Sequence, residues 1–225
     1  MIASNLQKIV STLQPGVRLV AVSKFHSVPE LMEAYRAGQR LFGENRPQEL
    51  FAKVPQMPSD VEWHFIGHLQ TNKLGKVLPY VSMVESIDSL HLLEAVSAWC
   101  VAHGKVMDVL LELHLGAEET KGGFSAEEIR SVVGRAGDFP GVRFCGLMGM
   151  ATNTRDEAVI RADFRRIAAL FREIAGVAVS GGERPLLTAF RELSIGMSGD
   201  YLIAQEEGST LVRVGTAIFG AREAR

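Results

Sequence analysis

Residues 18–37 read RLVAVSKFHSVPELMEAYRA. Arg18 to Val22 is an apolar, β-branched run, and Val28 to Ala37 carries the spacing of a helix, so the stretch predicts a strand, a polar turn and a helix. That is one βα unit. Outward from it the same alternation recurs, with strands predicted at Arg40 to Phe42, Trp63 to Ile66, Met83 to Glu85, Val106 to Leu113, Phe144 to Met148, Glu192 to Ile195 and Leu211 to Val214. Helical segments separate each strand from the next. The clearest of these are Val28 to Ala37, Ser89 to Ala102, Ser125 to Arg135 and Arg155 to Ile174, the third opening on Ser125 with Glu128 as its capping partner.

Eight strands alternating with helices predict the α/β class and a single (β/α)8 TIM barrel over residues 1–225, since open doubly wound sheets usually stop at five or six strands. No GxGxxG or GxxxxGK[ST] fingerprint is present. Gly181, Gly182 and Pro185 mark a loop before the seventh strand, too short for a linker between domains.

Hydrophobic residues make up 47% of the 225-residue chain and charged residues 22%, the balance of a globular protein. A formal charge of −2 argues against a nucleic-acid surface. No basic, apolar leader opens the chain and no stretch is long enough to span a membrane, so a cytoplasmic protein is expected. Cys100 and Cys145 lie among apolar residues without CxxC spacing and read as small buried hydrophobes. No metal site is predicted.

Barrel enzymes keep their chemistry at the C-terminal ends of the strands, and reactive residues collect there. Lys24 follows an apolar run whose walls would disfavour its cation, leaving an amine that attacks aldehydes. Gly43-Glu44-Asn45 follows the second strand, Gly67 to Lys73 the third, and Met148-Gly149-Met150 the sixth. Ser194-Ile195-Gly196-Met197-Ser198-Gly199-Asp200 precedes a helix, and Val212-Arg213-Val214-Gly215-Thr216 closes the last strand. Loops after the seventh and eighth strands are the usual phosphate site of such barrels, so a phosphorylated ligand is implied.

Read together, Ala21-Val22-Ser23-Lys24, Phe42-Gly43-Glu44-Asn45, Trp63 to Gln70, Gly146-Leu147-Met148, Leu193 to Ser198 and Val212 through Arg222 resemble the pyridoxal phosphate homeostasis protein family, also called the proline synthase co-transcribed homologue family. The resemblance spans nearly the whole chain. It implies a fold-type III barrel like the N-terminal domain of alanine racemase, lacking that enzyme's C-terminal β-domain. It implies pyridoxal 5'-phosphate as cofactor, held as an internal aldimine on Lys24. Its phosphate would sit on Ser194, Ser198, Gly215 and Thr216, in the loop that also holds Met197. Arg213 would face the pyridine nitrogen, Asn45 would hydrogen-bond beside the ring, and Met148 would pack near it. Lys73 and Lys121 match family lysines that could relay the aldehyde, while His64 is expected to pack in the core.

A guanidinium does not surrender its proton, so the ring nitrogen would remain an acceptor and the ring a poor electron sink. The expected function is therefore reversible cofactor holding in vitamin B6 homeostasis, with apo-enzymes as recipients, a monomeric state and no catalytic residue. The alternative is an amino-acid racemase or decarboxylase of weak activity. Alanine racemase takes a second base, a tyrosine, from its extra domain; here Arg225 comes eleven residues after Val214, and Tyr35, Tyr80 and Tyr201 are the only phenols. A cofactor-free aldolase using Lys24 is a further rival. The chain departs from typical members at Phe25-His26 and between Ala175 and Arg191.

Overall fold

The computed structural model of the chain describes residues 1–115, 122–180 and 187–220, without the side chains of 177–180. The predicted Gly181, Gly182 and Pro185 loop, Lys121, Arg222 and Arg225 lie outside the described residues.

Eight parallel strands close into one barrel in chain order. They are β1 (Arg18–Val22), β2 (Leu41–Glu44), β3 (Glu62–Phe65), β4 (Met83–Ile87), β5 (Met107–Glu112), β6 (Val142–Met148), β7 (Glu192–Ser194) and β8 (Leu211–Val214). The seam is a true ladder: Arg18 pairs with Leu211 and Ala21 with Val214. β1 and β8 match their predicted bounds, whereas β2 runs two residues further, through Gly43 and Glu44. These pair with His64 and Phe65 of β3; ladder pairing overrides the weak strand preference of glycine and glutamate.

Around the strands stand α1 (Ile2–Val10), α2 (Val28–Arg36), α3 (Pro47–Lys53), α4 (Leu74–Val77), α5 (Leu90–Ala102), α6 (Ala126–Gly134), α7 (Glu157–Ser180), α8 (Tyr201–Glu206) and α9 (Thr216–Phe219). The capping box at α6 is formed: Glu128 N–H donates to Ser125 Oγ at 3.2 Å and Ser125 N–H to Glu128 Oε2 at 2.8 Å. Helix α1 buries Ile2, Leu6 and Ile9 on one stripe, packing against α2 and α9. Among the described residues, no helix is long and apolar enough to cross a membrane.

Period-two alternation divides the strands into two faces. Leu19, Ala21, Phe42, Trp63, Phe65, Val84, Val109, Leu111, Leu147, Leu193, Val212 and Val214 join the large cluster under the helices. Val20, Leu41, Met83, Leu110, Cys145, Met148 and Leu211 form a separate apolar cluster that fills the barrel. β6 keeps both sets in phase through a bulge at Gly146, where the pairing with β5 shifts register. Gly146 has φ +155°, and a Cβ there would stand 1.7 Å from the Glu192 carbonyl oxygen, so no side chain fits.

Cys100 and Cys145 are free and buried, as expected. Burial, with the Asp108 charge behind it, pushes the Cys145 thiol up to about 12, which suppresses the reactive thiolate.

Candidate functional site

Above the apolar filling, the inward positions turn polar. His64 lies between the outward-packing Trp63 and Phe65, Ser194 between Leu193 and Ile195, and Arg213 between Val212 and Val214, so alternation sends all three into the lumen. Glu85 joins them. His64 Nδ1 lies 2.6 Å from Glu85 Oε1, and the Ser194 hydroxyl donates to Glu85 Oε2 at 2.6 Å. Arg213 Nη1 donates to the Ser194 carbonyl at 2.8 Å and to Ser194 Oγ at 2.5 Å, while Nη2 donates to the Gly149 carbonyl at 3.0 Å. A buried polar chain thus crosses the barrel from β3 to β8.

Opposite charges meet in this chain. Burial alone would raise the Glu85 carboxyl, but the bond from His64, the His64 and Arg213 charges and the Ser194 bond hold it below its ordinary value. Burial lowers Arg213, against the opposing pull of Glu85, Glu112 and Asp200. Nearer the mouth, burial and the Asp88 charge push Glu112 up to about 7, despite Arg213 and His68.

Lys24 follows β1 at this same end and is half-buried. Asn45 follows β2, its Oδ1 buried and without a hydrogen-bond partner. Gly67, after β3, lets the chain press against it: a Cβ there would lie 2.5 Å from the Asn45 carbonyl oxygen. The next residue, His68, bonds Asp88 Oδ2 at 2.7 Å.

The two C-terminal loops meet as their composition predicts. Gly215 N–H and Ala217 N–H, at the start of α9, both point at Ser198 Oγ, at 3.3 and 3.4 Å. These long contacts are weak. Met197 N–H donates to Asp200 Oδ1 at 2.5 Å and its side chain is exposed, as is Thr216.

Met197, Ser198, Gly215 and Thr216 therefore form one cluster at the loops, and Lys24 and Asn45 stand at the same end of the barrel. Ser194 does not join the loop cluster. Its hydroxyl proton is committed to Glu85, so it has none to give a phosphate. Met148 belongs to the barrel filling and is 1% exposed. His64 is buried as expected, but in the polar chain rather than among hydrophobes. Lys73 lies away from this lumen, in a small cleft with Pro47, Gln48, Phe51 and Lys76. Tyr35 Oη donates to Asp60 Oδ1 at 2.7 Å and Tyr201 Oη bonds Thr12 Oγ1 at 3.1 Å.

Sequence reasoning missed Glu85 and Glu112. Their inward phase was available from the strand alternation, yet Met83–Glu85 and Val106–Leu113 read as plain apolar strands, the first with one acid and the second with two, Asp108 and Glu112.

The profile of the family described as alanine racemase, N-terminal domain, matches residues 1–223. A pyridoxal phosphate homeostasis protein of Schizosaccharomyces pombe is 37% identical over 225 residues, covering 99% of this chain and 90% of that protein. The chain belongs to the pyridoxal phosphate homeostasis protein family. The family member of Aquifex aeolicus is 35% identical over 207 residues, covering 92% of this chain and 87% of its own length. Among solved structures, PipY of Synechococcus elongatus PCC7942 with PLP bound superposes with a TM-score of 0.87 at 35% identity, covering 98% of this chain and all of that one.

Proposed function

We propose that this chain holds pyridoxal 5'-phosphate at the C-terminal mouth of its barrel, bonded covalently to Lys24, and passes it on without turning over an amino acid. The PLP-bound PipY structure supports the ligand. The donor set of this chain supports the fit, and the buried, unpartnered Asn45 Oδ1 is the observation that carries it. Buried polar atoms seldom lack a partner in a folded protein; a ligand with a donor beside the ring would complete this one.

When bound, the cofactor supplies an aldehyde that captures primary amines and a ring that draws off electrons when its nitrogen is protonated. Lys24 supplies the amine. Ser198, Gly215, Thr216 and the Ala217 N–H supply donors for the phosphate, and the backbone by Met197 shapes their loop. Arg213, fixed in plane by its three bonds to the wall, offers the ring nitrogen a donor that does not transfer its proton. Met148 lies deeper, flooring the site as a polarizable apolar contact. Ser194 serves the ring end through Arg213 rather than the phosphate end.

That arrangement favours holding over carbanion chemistry, in keeping with the homeostasis names of the relatives. Apo-enzymes that lack cofactor are the natural recipients of one held reversibly. Titration of purified, cofactor-free chain with pyridoxal phosphate tests the reading: a new visible band saturating near one equivalent, with no product from added amino acids, supports it. Failure to develop the band refutes covalent attachment, and sustained amino-acid turnover refutes the holding role.

A further inference from the structure

Both peptide groups flanking Lys24 are gripped from the outer face of the barrel. Lys53 Nζ, at the end of α3, donates to the Ser23 carbonyl at 2.8 Å, and Glu49 Oε2 accepts the Phe25 N–H at 2.7 Å. The two grips are joined, since Lys53 Nζ also meets Glu49 Oε2 at 2.8 Å and Glu44 Oε1 at 2.5 Å. Glu44 Oε1 in turn accepts the Ser23 hydroxyl at 2.7 Å. Four residues and two backbone groups form one network around a single turn.

The network sits where charge is costly. The Lys53 side chain is 8% exposed and that of Glu44 is 0%, and lysine is almost never buried unless paired. An apolar side chain would fill the space without that cost. What the charges add is the shape of the turn: Phe25 has φ +68°, alone among the described non-glycine residues in the left-handed region. Such a conformation persists only where its surroundings over-determine it. Arg46 stacks over the Phe25 ring at 4.4 Å, and His26 stacks on Phe219 of α9 at 4.6 Å. The turn bearing Lys24 is thereby tied to α3 on one side and to α9 on the other.

We propose that Lys53 and Glu49 are positioning residues for Lys24, clamping the strained turn so that its amine is aimed at the barrel mouth. The inference rests on Lys24 being the attachment point. In that reaction the amine nitrogen bonds to the aldehyde carbon and the carbonyl oxygen leaves as water, with nothing oxidised or reduced. Lys53 forms none of these bonds; it fixes the backbone from which Lys24 reaches.

The test uses the full chain in two measurements. In the cofactor-free protein, deuterium exchange at the Phe25 amide should quicken about tenfold in Glu49→Ala, the change that loss of one hydrogen bond to a charged group brings. After addition of pyridoxal phosphate, a borohydride-quenched time course with peptide mapping should show Lys24 labelled about tenfold more slowly in Lys53→Met, with Lys53→Arg recovering much of the rate. Glu49 is only half-buried, so Glu49→Ala carries the labelling test if Lys53→Met does not fold. Unchanged exchange, or wild-type labelling rates in every folded variant, overturns the clamp while leaving Lys24 as the attachment point. Absence of label from Lys24 in the wild type instead overturns the attachment reading, and the clamp's purpose with it.

Discussion

Glu85 and Arg213 never meet directly at hydrogen-bonding distance, their closest atoms being 3.9 Å apart, because the Ser194 hydroxyl stands between them, 2.6 Å from the carboxylate. The hydroxyl donates to the acid and accepts from the guanidinium. A buried positive charge is thus balanced through one intervening side chain.

Removing the acid should cost more than removing the relay. Glu85→Gln leaves Arg213 short of its buried counter-charge and is expected to destabilise the fold by about 3 kcal/mol, the scale seen when one partner of a buried pair is lost. Ser194→Ala should cost about 1–3 kcal/mol. Urea unfolding at neutral pH distinguishes them, and a Glu85→Gln loss below that of Ser194→Ala contradicts the ordering.

Glu112 sets a pH dependence of unusual sign for a carboxylate. Its pKa is raised from 4.5 to about 7, so between these values the folded chain binds more protons than the unfolded one. Stability contributed by this group therefore falls as pH rises from 4.5 to 7, by up to about 3 kcal/mol before solvent screening is allowed for. Glu112→Gln should flatten that part of the stability curve and raise the melting temperature at pH 8. An unaltered slope in the variant would assign it elsewhere.

Phosphate grip is expected to reside in the two loops. Ser198→Ala with Thr216→Ala should weaken retention of pyridoxal phosphate by a few kcal/mol, at roughly 1.5 to 3 for each hydrogen bond to a charged group. Equilibrium dialysis measures it; unchanged retention removes both hydroxyls from the site.

Gly146→Ala tests the β6 bulge. A methyl group placed 1.7 Å from the Glu192 carbonyl oxygen must push β6 and β7 apart, and a loss of roughly 2 kcal/mol or more in thermal or denaturant unfolding is expected. Full stability in the variant would mean that the strands can separate freely there.

The barrel was legible because strands and helical segments alternate along the chain, and β1 and β8 are rich in valine and leucine, broken only by Arg18 at the start of β1 and Arg213 within β8. α1 is not announced by the sequence: Ile2, Leu6 and Ile9 have helical spacing, but Met1 offers no capping side chain and the first turn holds no acid, so the helix lacks a start signal. The loop cluster was legible from its glycines and hydroxyls, and Lys24 from its place after β1. The polar chain was not: alternation turns His64, Glu85 and Ser194 inward, but Glu85 and Ser194 are 109 residues apart and only closure of the barrel pairs them. In sequence Ser194 reads with the phosphate loop that follows it, and only the closed barrel shows its bonds to Glu85 and Arg213. Lys53 escaped notice for a different reason, since a lysine in a helical segment reads as solvated surface until the fold buries it.

The central claim is that Lys24 bonds covalently to pyridoxal phosphate. The most direct test is borohydride reduction of the purified, cofactor-loaded chain followed by peptide mass mapping. The account predicts loss of the visible band and a pyridoxyl mass increment on the peptide containing Lys24, absent in Lys24→Ala. An increment on another lysine, or none on a chain that still retains the cofactor, would contradict it.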